Sequence, residues 1–157
     1  MITDWKKVGI KIGVLTHNDV LDKGVSTEDA KKALETILGE EWIQETVNTV
    51  ITENLGTELA LNCLKHLSSE RAVNYAYSIY KSDPDLECKR MAVWLIKHLS
   101  VKKSYNWIEE FLNDKNVIGW GIGVLDQLLW SEEIYSEDNK ERIAYLFQLA
   151  IDNSNGA

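Results

Sequence analysis

Apolar residues recur along this chain three and four residues apart, which is the spacing of amphipathic helices. Short polar or glycine-containing stretches separate the apolar runs, and from residue 26 onward none of them alternates as a strand does. The pattern therefore predicts an all-α fold. The predicted helices cover residues 26–38, 40–55, 57–68, 71–81, 84–99, 104–112, 116–130 and 136–151.

The first 25 residues follow a different pattern. Val8, Ile10, Ile12 and Val14 alternate with glycine and lysine, as residues of a strand do. Two glycines in this stretch and the lack of a pairing strand make a short helix an equal alternative. We therefore treat residues 1–25 as an N-terminal cap whose secondary structure the pattern leaves open.

Local signals mark several helix ends. Residues 26–29 read Ser-Thr-Glu-Asp, a capping-box pattern that predicts a helix start. Gly39 follows the apolar run of this helix and predicts its end. Asp83 and Pro84 predict another start, with the aspartate as the cap and the proline at the first helical position.

A short block of sequence recurs within the helical region. Lys65-His66-Leu67-Ser68 returns 32 residues later as Lys-His-Leu-Ser at 97–100. Repeats of about 30 to 45 residues are typical of stacked helical hairpins. We therefore expect a single domain whose residues 26–151 form a short α-solenoid of about four antiparallel helix pairs. Both copies of the block fall at a predicted helix end, where the histidines would interact with the last carbonyls.

Composition narrows the class of protein. A chain of 157 residues suits one domain, and a hydrophobic fraction of 45% excludes disorder. It lacks an apolar stretch of about 18 residues and an export-signal pattern, so we expect neither a membrane span nor secretion. Cys63 and Cys88 are isolated, which favours a cytoplasmic protein over a disulfide framework.

The net charge of −8 is unevenly distributed. Residues 60–103 carry 4 acidic and 8 basic residues, a net of +4, whereas residues 104–141 carry 9 acidic and 2 basic residues, a net of −7. Such a field repels nucleic acid and attracts basic partners over roughly a Debye length. The alternative is that the acidity only keeps the protein soluble.

Residues 83–96 resemble the signature of HEAT-like helical repeats. The segment begins Asp-Pro-Asp, Cys88 takes the apolar place, Lys89 the basic place, and Ala92 and Val93 the pair of small residues. The next unit matches less well, because Gly-Trp at 119–120 replaces the apolar–basic pair. The resemblance implies an α-solenoid that binds other proteins, and it implies no catalytic chemistry.

A more particular likeness is to small bacterial proteins built on this repeat, and it includes the segment 119–130. As an all-helical protein of this size, the chain also resembles the immunity partners of contact-dependent growth inhibition toxins. This second likeness implies that the chain neutralises a toxin by binding to it.

Gly119, Gly121 and Gly123 raise the question of a phosphate-binding loop. The spacing lacks the third glycine of the dinucleotide fingerprint, and no predicted strand precedes it. We interpret these glycines as packing positions on a helix. Gly119 and Gly123 lie four residues apart, so the pair would share the face that approaches a neighbour.

Candidate metal and nucleophilic sites are weak. His66 and His98 occupy equivalent positions in neighbouring units, whose helices pack about 8–10 Å apart. Zinc ligands lie at about 2 Å from the metal, so one ion cannot readily bind both imidazoles. Cys63 and His66 share a helix face without completing a ligand set, and Cys88 stands at a core position. We expect no catalytic residue, cofactor or metal.

The acidic segment suggests a surface that binds a partner. In a solenoid the second helix of each unit lines the concave side, and the predicted helix 104–112 presents paired carboxylates there. Exposed aromatic residues rimmed by acids have the composition of binding hot spots. An acidic helix face that only contacts water is the alternative. The predicted partner-binding residues are Tyr77, Glu109, Glu110, Asp114, Asp126, Trp130, Glu132 and Glu133.

The leading hypothesis is a cytoplasmic, non-enzymatic immunity protein that covers the active site of a basic nuclease toxin. A nuclease needs a positive groove for phosphates, and its inhibitor needs the opposite sign. The alternative is a general HEAT-repeat scaffold or adaptor for another protein. A HEAT-like enzyme that repairs alkylated DNA is disfavoured, because a segment of net charge −7 would repel DNA. We expect neither nucleic acid nor a membrane as a direct partner.

Overall fold

A computed structural model describes residues 3–21, 24–53, 55–131 and 133–154. The described residues form helices and turns without a strand, so the all-α prediction is confirmed. The helices are α1 (Trp5–Lys11), α2 (Thr27–Ile51), α3 (Thr57–Leu67), α4 (Glu70–Ser82), α5 (Leu86–Leu99), α6 (Ile108–Asn113), α7 (Ile118–Trp130) and α8 (Lys140–Ser154), with 3-10 turns at Lys102–Trp107 and Glu137–Asn139.

Part of the N-terminal region is helical. Asp4 caps α1 by accepting a hydrogen bond from the backbone N–H of Lys7 at 3.1 Å, and Gly13 follows the helix with a positive φ of 83°. The helical alternative is therefore confirmed for Trp5–Lys11, and the strand is not. No residue of α1 is buried, and the helix packs against α2.

Helix α2 begins as its capping box predicts. The Ser26 hydroxyl and the Asp29 carboxylate each accept a hydrogen bond from the other residue's backbone N–H. Gly39 interrupts the helix with φ 84° and ψ 167°, which confirms a break at this residue. The second part ends at Ile51 instead of residue 55, because Glu53 adopts a left-handed conformation.

The first part of α2 does not bury all of its apolar run. Leu34 and Leu38 belong to that run, but both side chains are exposed. Glu35 is buried instead, with 8% of its surface accessible. Helices α1 and α4 both contact α2, and Arg71 of α4 lies 4.0 Å from Glu35, so hydrophobic spacing alone did not determine which face is buried.

The repeated Lys-His-Leu-Ser block ends a helix in both copies, as predicted. Helix α3 ends at Leu67 and α5 ends at Leu99. The serines that follow, Ser68 and Ser100, adopt the left-handed conformation with φ of 50° and 49°. Such a residue commonly terminates an α-helix.

The start of α5 differs from the prediction. Its N-cap is Asp85 and not Asp83: the Asp85 carboxylate accepts hydrogen bonds from the backbone N–H groups of Glu87 and Cys88 at 2.8 and 3.0 Å. The Asp83 carboxylate accepts from the backbone N–H of Asp85 at 2.8 Å. Pro84 therefore lies before the helix, in the turn that these two aspartates form.

The C-terminal helices are shorter than predicted at their starts. A 3-10 turn occupies Lys102–Trp107, and α6 begins only at Ile108; α7 and α8 begin at Ile118 and Lys140 instead of residues 116 and 136. The buried Ser104 hydroxyl donates to the Val101 carbonyl at 2.7 Å within the 3-10 turn. This local bond satisfies the hydroxyl where the polypeptide turns from α5 towards α6.

The close approach of α6 and α7 depends on Gly121, and not on the predicted pair. A Cβ atom at Gly121 would lie 2.7 Å from the Phe111 Cβ and 3.1 Å from its carbonyl carbon. At Gly119 there is nothing within 4 Å, and at Gly123 the neighbour is the flexible side chain of Lys97. Gly123 therefore packs closely against a neighbouring side chain, as predicted, whereas no neighbour of the chain approaches Gly119, and the closest backbone approach is at Gly121.

One hydrophobic core runs from α2 to α8. Helices α3 and α5 contact each other, as do α5 and α7; α2 contacts α4, and α6 contacts α8. None of the described helices combines the length and apolarity required to cross a bilayer. Fully buried side chains from successive helices include Ile43, Leu64, Ala76, Leu95, Phe111, Leu128 and Leu146.

Candidate functional site

The predicted site residue Tyr77 lies on α4 and is half-buried. Its ring stacks on Trp107, with 4.0 Å between the ring centroids and 5° between the planes. Its hydroxyl donates a hydrogen bond to Glu110 Oε2 at 2.6 Å. Burial, followed by the interaction with Glu110, raises the pKa of Tyr77 to about 12. This side chain therefore joins α4 to α6.

Glu110 has a second partner on the same helix, α4. The Lys81 ammonium forms an ion pair with Glu110 Oε1, while Tyr77 bonds to the other carboxylate oxygen. Both oxygens of this predicted partner-binding residue are thus bonded within the chain. A new partner would have to compete with these contacts.

Asp114 follows α6 and also has internal partners. Its Oδ2 accepts a hydrogen bond from the Tyr80 hydroxyl at 3.3 Å, and its Oδ1 accepts from the backbone N–H of Asn116 at 2.9 Å. Burial, with the Asp114 charge next in importance, raises the pKa of Tyr80. Asp114 therefore stabilises the turn that leads into α7.

Glu109 connects α6 to α8. Its Oε1 accepts a hydrogen bond from the Tyr145 hydroxyl at 2.9 Å, and the Asn153 side-chain amide donates to the Leu112 carbonyl at 2.9 Å. We call Tyr77, Lys81, Glu109, Glu110, Asp114 and Tyr145 the polar seam. The seam links α4, α6 and α8 on one side of the molecule.

The remaining predicted residues lie apart from most of the seam. Asp126 is exposed on α7, Trp130 ends that helix with 84% of its surface accessible, and Glu133 is exposed beyond it. Helix α7 starts four residues after Asp114, and its 13 residues span about 20 Å, so Asp114 and Trp130 are near its opposite ends. Glu132 lies outside the described residues.

An exposed tyrosine that the sequence did not single out belongs with this second group. Tyr135 has 70% of its surface accessible, and it lies in a segment, 126–138, with five acidic and no basic residues. We call Asp126, Trp130, Glu133 and Tyr135 the acidic–aromatic patch. Sequence reasoning had a signal for Tyr135, because it follows paired glutamates in a predicted connection.

Two other aromatic rings hold cations of the same chain. The Lys97 ammonium lies 5.5 Å from the centroid of Trp120, and the Arg142 guanidinium lies 4.7 Å from that of Tyr105. Among the described residues, Trp130 makes no such contact with a cation or another ring. Its indole is available to a partner.

The histidines and cysteines do not assemble a chemical site in the described part of the chain. No group of three or more His, Cys, Asp or Glu side chains there is arranged to hold a metal ion. His98 packs its ring 4.3 Å from that of Trp94 instead of bonding to the helix carbonyls, and burial lowers its pKa. Cys63 and Cys88 are free and half-buried, and burial raises the pKa of the Cys88 thiol.

Glu35 lines a cleft that sequence reasoning missed. The cleft has a volume of about 580 Å³ and lies beside Ser68 and Ser100, at the ends of α3 and α5. Within the described structure Glu35 Oε1 is buried without a hydrogen-bond partner, and Oε2 lies 4.0 Å from Arg71 Nε. Lysine and glutamate side chains mix around the opening, so the cleft has no clear preference for a ligand of either sign.

Comparison with known proteins gives no match of this chain to a family model, a curated protein or a solved structure. The polar seam and the acidic–aromatic patch are therefore the features of this chain that bear on its function. In the polar seam, acidic side chains are bonded within the chain. In the acidic–aromatic patch, they are exposed beside aromatic rings.

Proposed function

We propose that the protein is a cytoplasmic, non-enzymatic binding module that neutralises a basic nuclease toxin by covering its active site. The acidic–aromatic patch is the proposed centre of the interface. The nuclease is the proposed partner because its substrate groove must be positive to hold phosphates, and the negative patch complements such a groove.

The helix contacts support an α-solenoid for this role. In one row, α3 contacts α5 and α5 contacts α7. In the second row, α2 contacts α4, α4 contacts the 3-10 turn that precedes α6, and α6 contacts α8. Two rows of helices, each in contact with its next-but-one neighbour, are the arrangement of stacked hairpins. The neighbouring helices that contact each other are α2 and α3, α4 and α5, and α6 and α7, so we propose that these are the stacked hairpins, with α8 packed against α6 and α7 as part of the last unit.

The exposure of Trp130 is the observation that carries the proposal. An indole with 84% of its surface accessible is unusual unless it serves an interface, and tryptophan is among the residues most enriched in binding hot spots. Asp126 and Glu133 flank it in sequence, and residues 126–138 lack any basic residue. An aromatic anchor with an acidic rim fits a basic protein surface.

The polar seam has a different role in this proposal. Its carboxylates already bond to Tyr77, Lys81, Tyr80 and Tyr145, so we assign them to holding α4, α6 and α8 together. The partner-binding role predicted for Tyr77, Glu109, Glu110 and Asp114 becomes secondary: these residues set the shape of the surface that displays the patch.

Binding to a candidate nuclease tests the proposal. The purified protein is mixed with candidate basic nucleases, including the products of neighbouring genes, and complex formation and nuclease activity are measured at low and high salt. The proposal expects a complex that weakens as salt increases and that blocks nucleic-acid cleavage. Failure of every neighbouring gene product to form a salt-sensitive complex would contradict it.

A general HEAT-repeat scaffold remains the second candidate. The stacked helices that support the first proposal also support this one, since solenoids offer extended surfaces to many partners. A toxin gene immediately upstream favours the immunity role, whereas a lone or metabolic gene setting favours a scaffold. Gel-shift binding to duplex DNA at physiological salt would contradict both.

A further inference from the structure

We infer that Asp126 and Trp130 together form an anchor for an arginine side chain of the partner. The inference rests on the proposed function, and it names the chemical group that the acidic–aromatic patch recognises. The two residues lie four positions apart on α7, and such residues are neighbours on one face of a helix. An exposed carboxylate therefore stands beside an exposed indole.

This pair offers the two interactions that a guanidinium group makes best. The guanidinium is planar and weakly hydrated, so it stacks on an indole face at a lower desolvation cost than an ammonium group. Its N–H groups point outward in the same plane, where the Asp126 carboxylate can accept them. A lysine could satisfy the charge but would lack the stacking plane and the paired donors.

Two other aromatic rings of the chain already make such contacts with cations. Trp120, on the same helix, lies under the Lys97 ammonium, and Tyr105 lies under the Arg142 guanidinium. Trp130 has the same kind of face and the greatest exposure of the three rings, yet no cation of the described chain covers it. The basic residues nearest to Trp130 in sequence are Lys140 and Arg142. Lys140 forms an ion pair with Glu137 at 2.6 Å, and Arg142 lies over Tyr105.

The surroundings favour a cation over an anion or an apolar partner. Asp126 makes no ion pair or hydrogen bond within the described residues, so its charge is not neutralised. Helix α7 contains no basic residue, and its C-terminal end at Trp130 carries the negative end of the helix dipole. The carboxylate, the dipole and the indole face all attract the same group.

Two peptides of equal length and charge test the inference on the full-length protein. One alternates glycine with arginine and the other alternates glycine with lysine, and both are titrated while the indole N–H signals are followed by NMR. The Trp130 signal is assigned with the variant Trp130→Phe. We expect the arginine peptide to shift this signal and to bind about five-fold more tightly than the lysine peptide.

Variants distinguish the anchor from general attraction to an acidic protein. Trp130→Leu and Asp126→Asn should each reduce the ratio of the two affinities to near one. Glu41→Gln removes one exposed carboxylate from α2, and it should weaken both peptides equally while preserving the ratio. Circular dichroism confirms that each variant is folded, as expected for exposed positions.

The outcomes separate this inference from the proposed function. Equal affinities for the two peptides, no binding of either, or an arginine preference that survives Trp130→Leu would overturn the arginine anchor. A salt-sensitive complex with the nuclease would still support the immunity role in each case. Conversely, an arginine preference without any nuclease complex would support the anchor and contradict the proposed function.

Discussion

The Tyr77 hydroxyl donates a 2.6 Å hydrogen bond to Glu110 Oε2, across the contact between α4 and α6. The same tyrosine ring stacks on Trp107, just before α6, while Lys81 pairs with the other oxygen of Glu110. An acidic residue that sequence reasoning assigned to a partner is therefore engaged inside the chain. This engagement separates residues that hold the helices together from residues that remain available for binding.

Replacement of Tyr77 by phenylalanine should destabilise the protein by about 1 kcal/mol. The substitution keeps the ring on Trp107 but removes the bond to the Glu110 carboxylate, and hydrogen bonds to charged groups contribute about this much or more. Urea denaturation gives the change in the free energy of unfolding. Tyr145→Phe, which removes the exposed bond to Glu109, is the control and should cost less. An equal loss of stability in the two variants would contradict the larger role assigned to the half-buried bond of Tyr77.

Stability should fall in alkaline solution as Tyr77 ionises. Its folded-state pKa of about 12 lies above the ordinary tyrosine pKa of 10.0, so the folded chain holds this proton more tightly than the unfolded chain. The stabilisation is complete below about pH 10 and is lost as the pH rises towards about 12. Urea midpoints measured across this range should fall less steeply for Tyr77→Phe than for the native protein. The Tyr80→Phe variant should also flatten the dependence of the urea midpoint on pH, because the pKa of Tyr80 is likewise raised in the folded protein.

Gly121→Ala and Gly119→Ala should have opposite effects. At Gly121 an added Cβ meets the Phe111 Cβ at 2.7 Å and its backbone, so α6 and α7 must separate, which we expect to cost about 1–3 kcal/mol. At Gly119 the space is open, and the better helix propensity of alanine should stabilise the protein by up to about 1 kcal/mol. Chemical denaturation of both variants measures the difference. A similar change at the two positions would show that Gly121 does not limit the approach.

The left-handed serines of the repeated block predict a gain in stability on substitution by glycine. Ser100→Gly removes the steric cost of a positive φ and should stabilise the protein by about 0.5 kcal/mol, after the greater chain entropy of glycine is subtracted. Ser68→Gly should gain less, because it loses a 2.9 Å hydrogen bond donated by the charged Lys31 ammonium, whereas the Ser100 hydroxyl makes longer bonds, at 3.5 Å to the Gln127 carbonyl and 3.3 Å to Ser131 Oγ. Thermal unfolding of both variants tests the order. A larger gain at Ser68 would be inconsistent with it.

The helices could be predicted where local chemistry determines them. The capping box at Ser26, the break at Gly39 and the helix ends at Ser68 and Ser100 depend on residues within one or two turns, and the sequence contains those residues. The cap of α5 was misplaced because Asp83 and Asp85 both fit a cap. Which of the two caps the helix depends on the conformation of the turn that joins α4 to α5.

Contacts across helices explain what the sequence could not reveal. Tyr77 and Glu110 are 33 residues apart, and nothing near either residue shows that they meet. The burial of Glu35 in place of Leu34 depends on how α1 and α4 cover α2, which is likewise a property of the assembled chain. The exposure of Trp130, by contrast, agrees with its position at a predicted helix end beside acidic residues.

Titration calorimetry with a basic nuclease that binds the protein tests most directly whether binding belongs to the acidic–aromatic patch and not to the polar seam. Trp130→Ala should weaken the complex at least about tenfold, as loss of a hot-spot residue does, without lowering the stability of the free protein. Tyr77→Phe should lower stability and leave the dissociation constant within about twofold, since the hydroxyl is engaged internally. An unchanged affinity for Trp130→Ala, or a large loss for Tyr77→Phe alone, would contradict the assignment of binding to the acidic–aromatic patch.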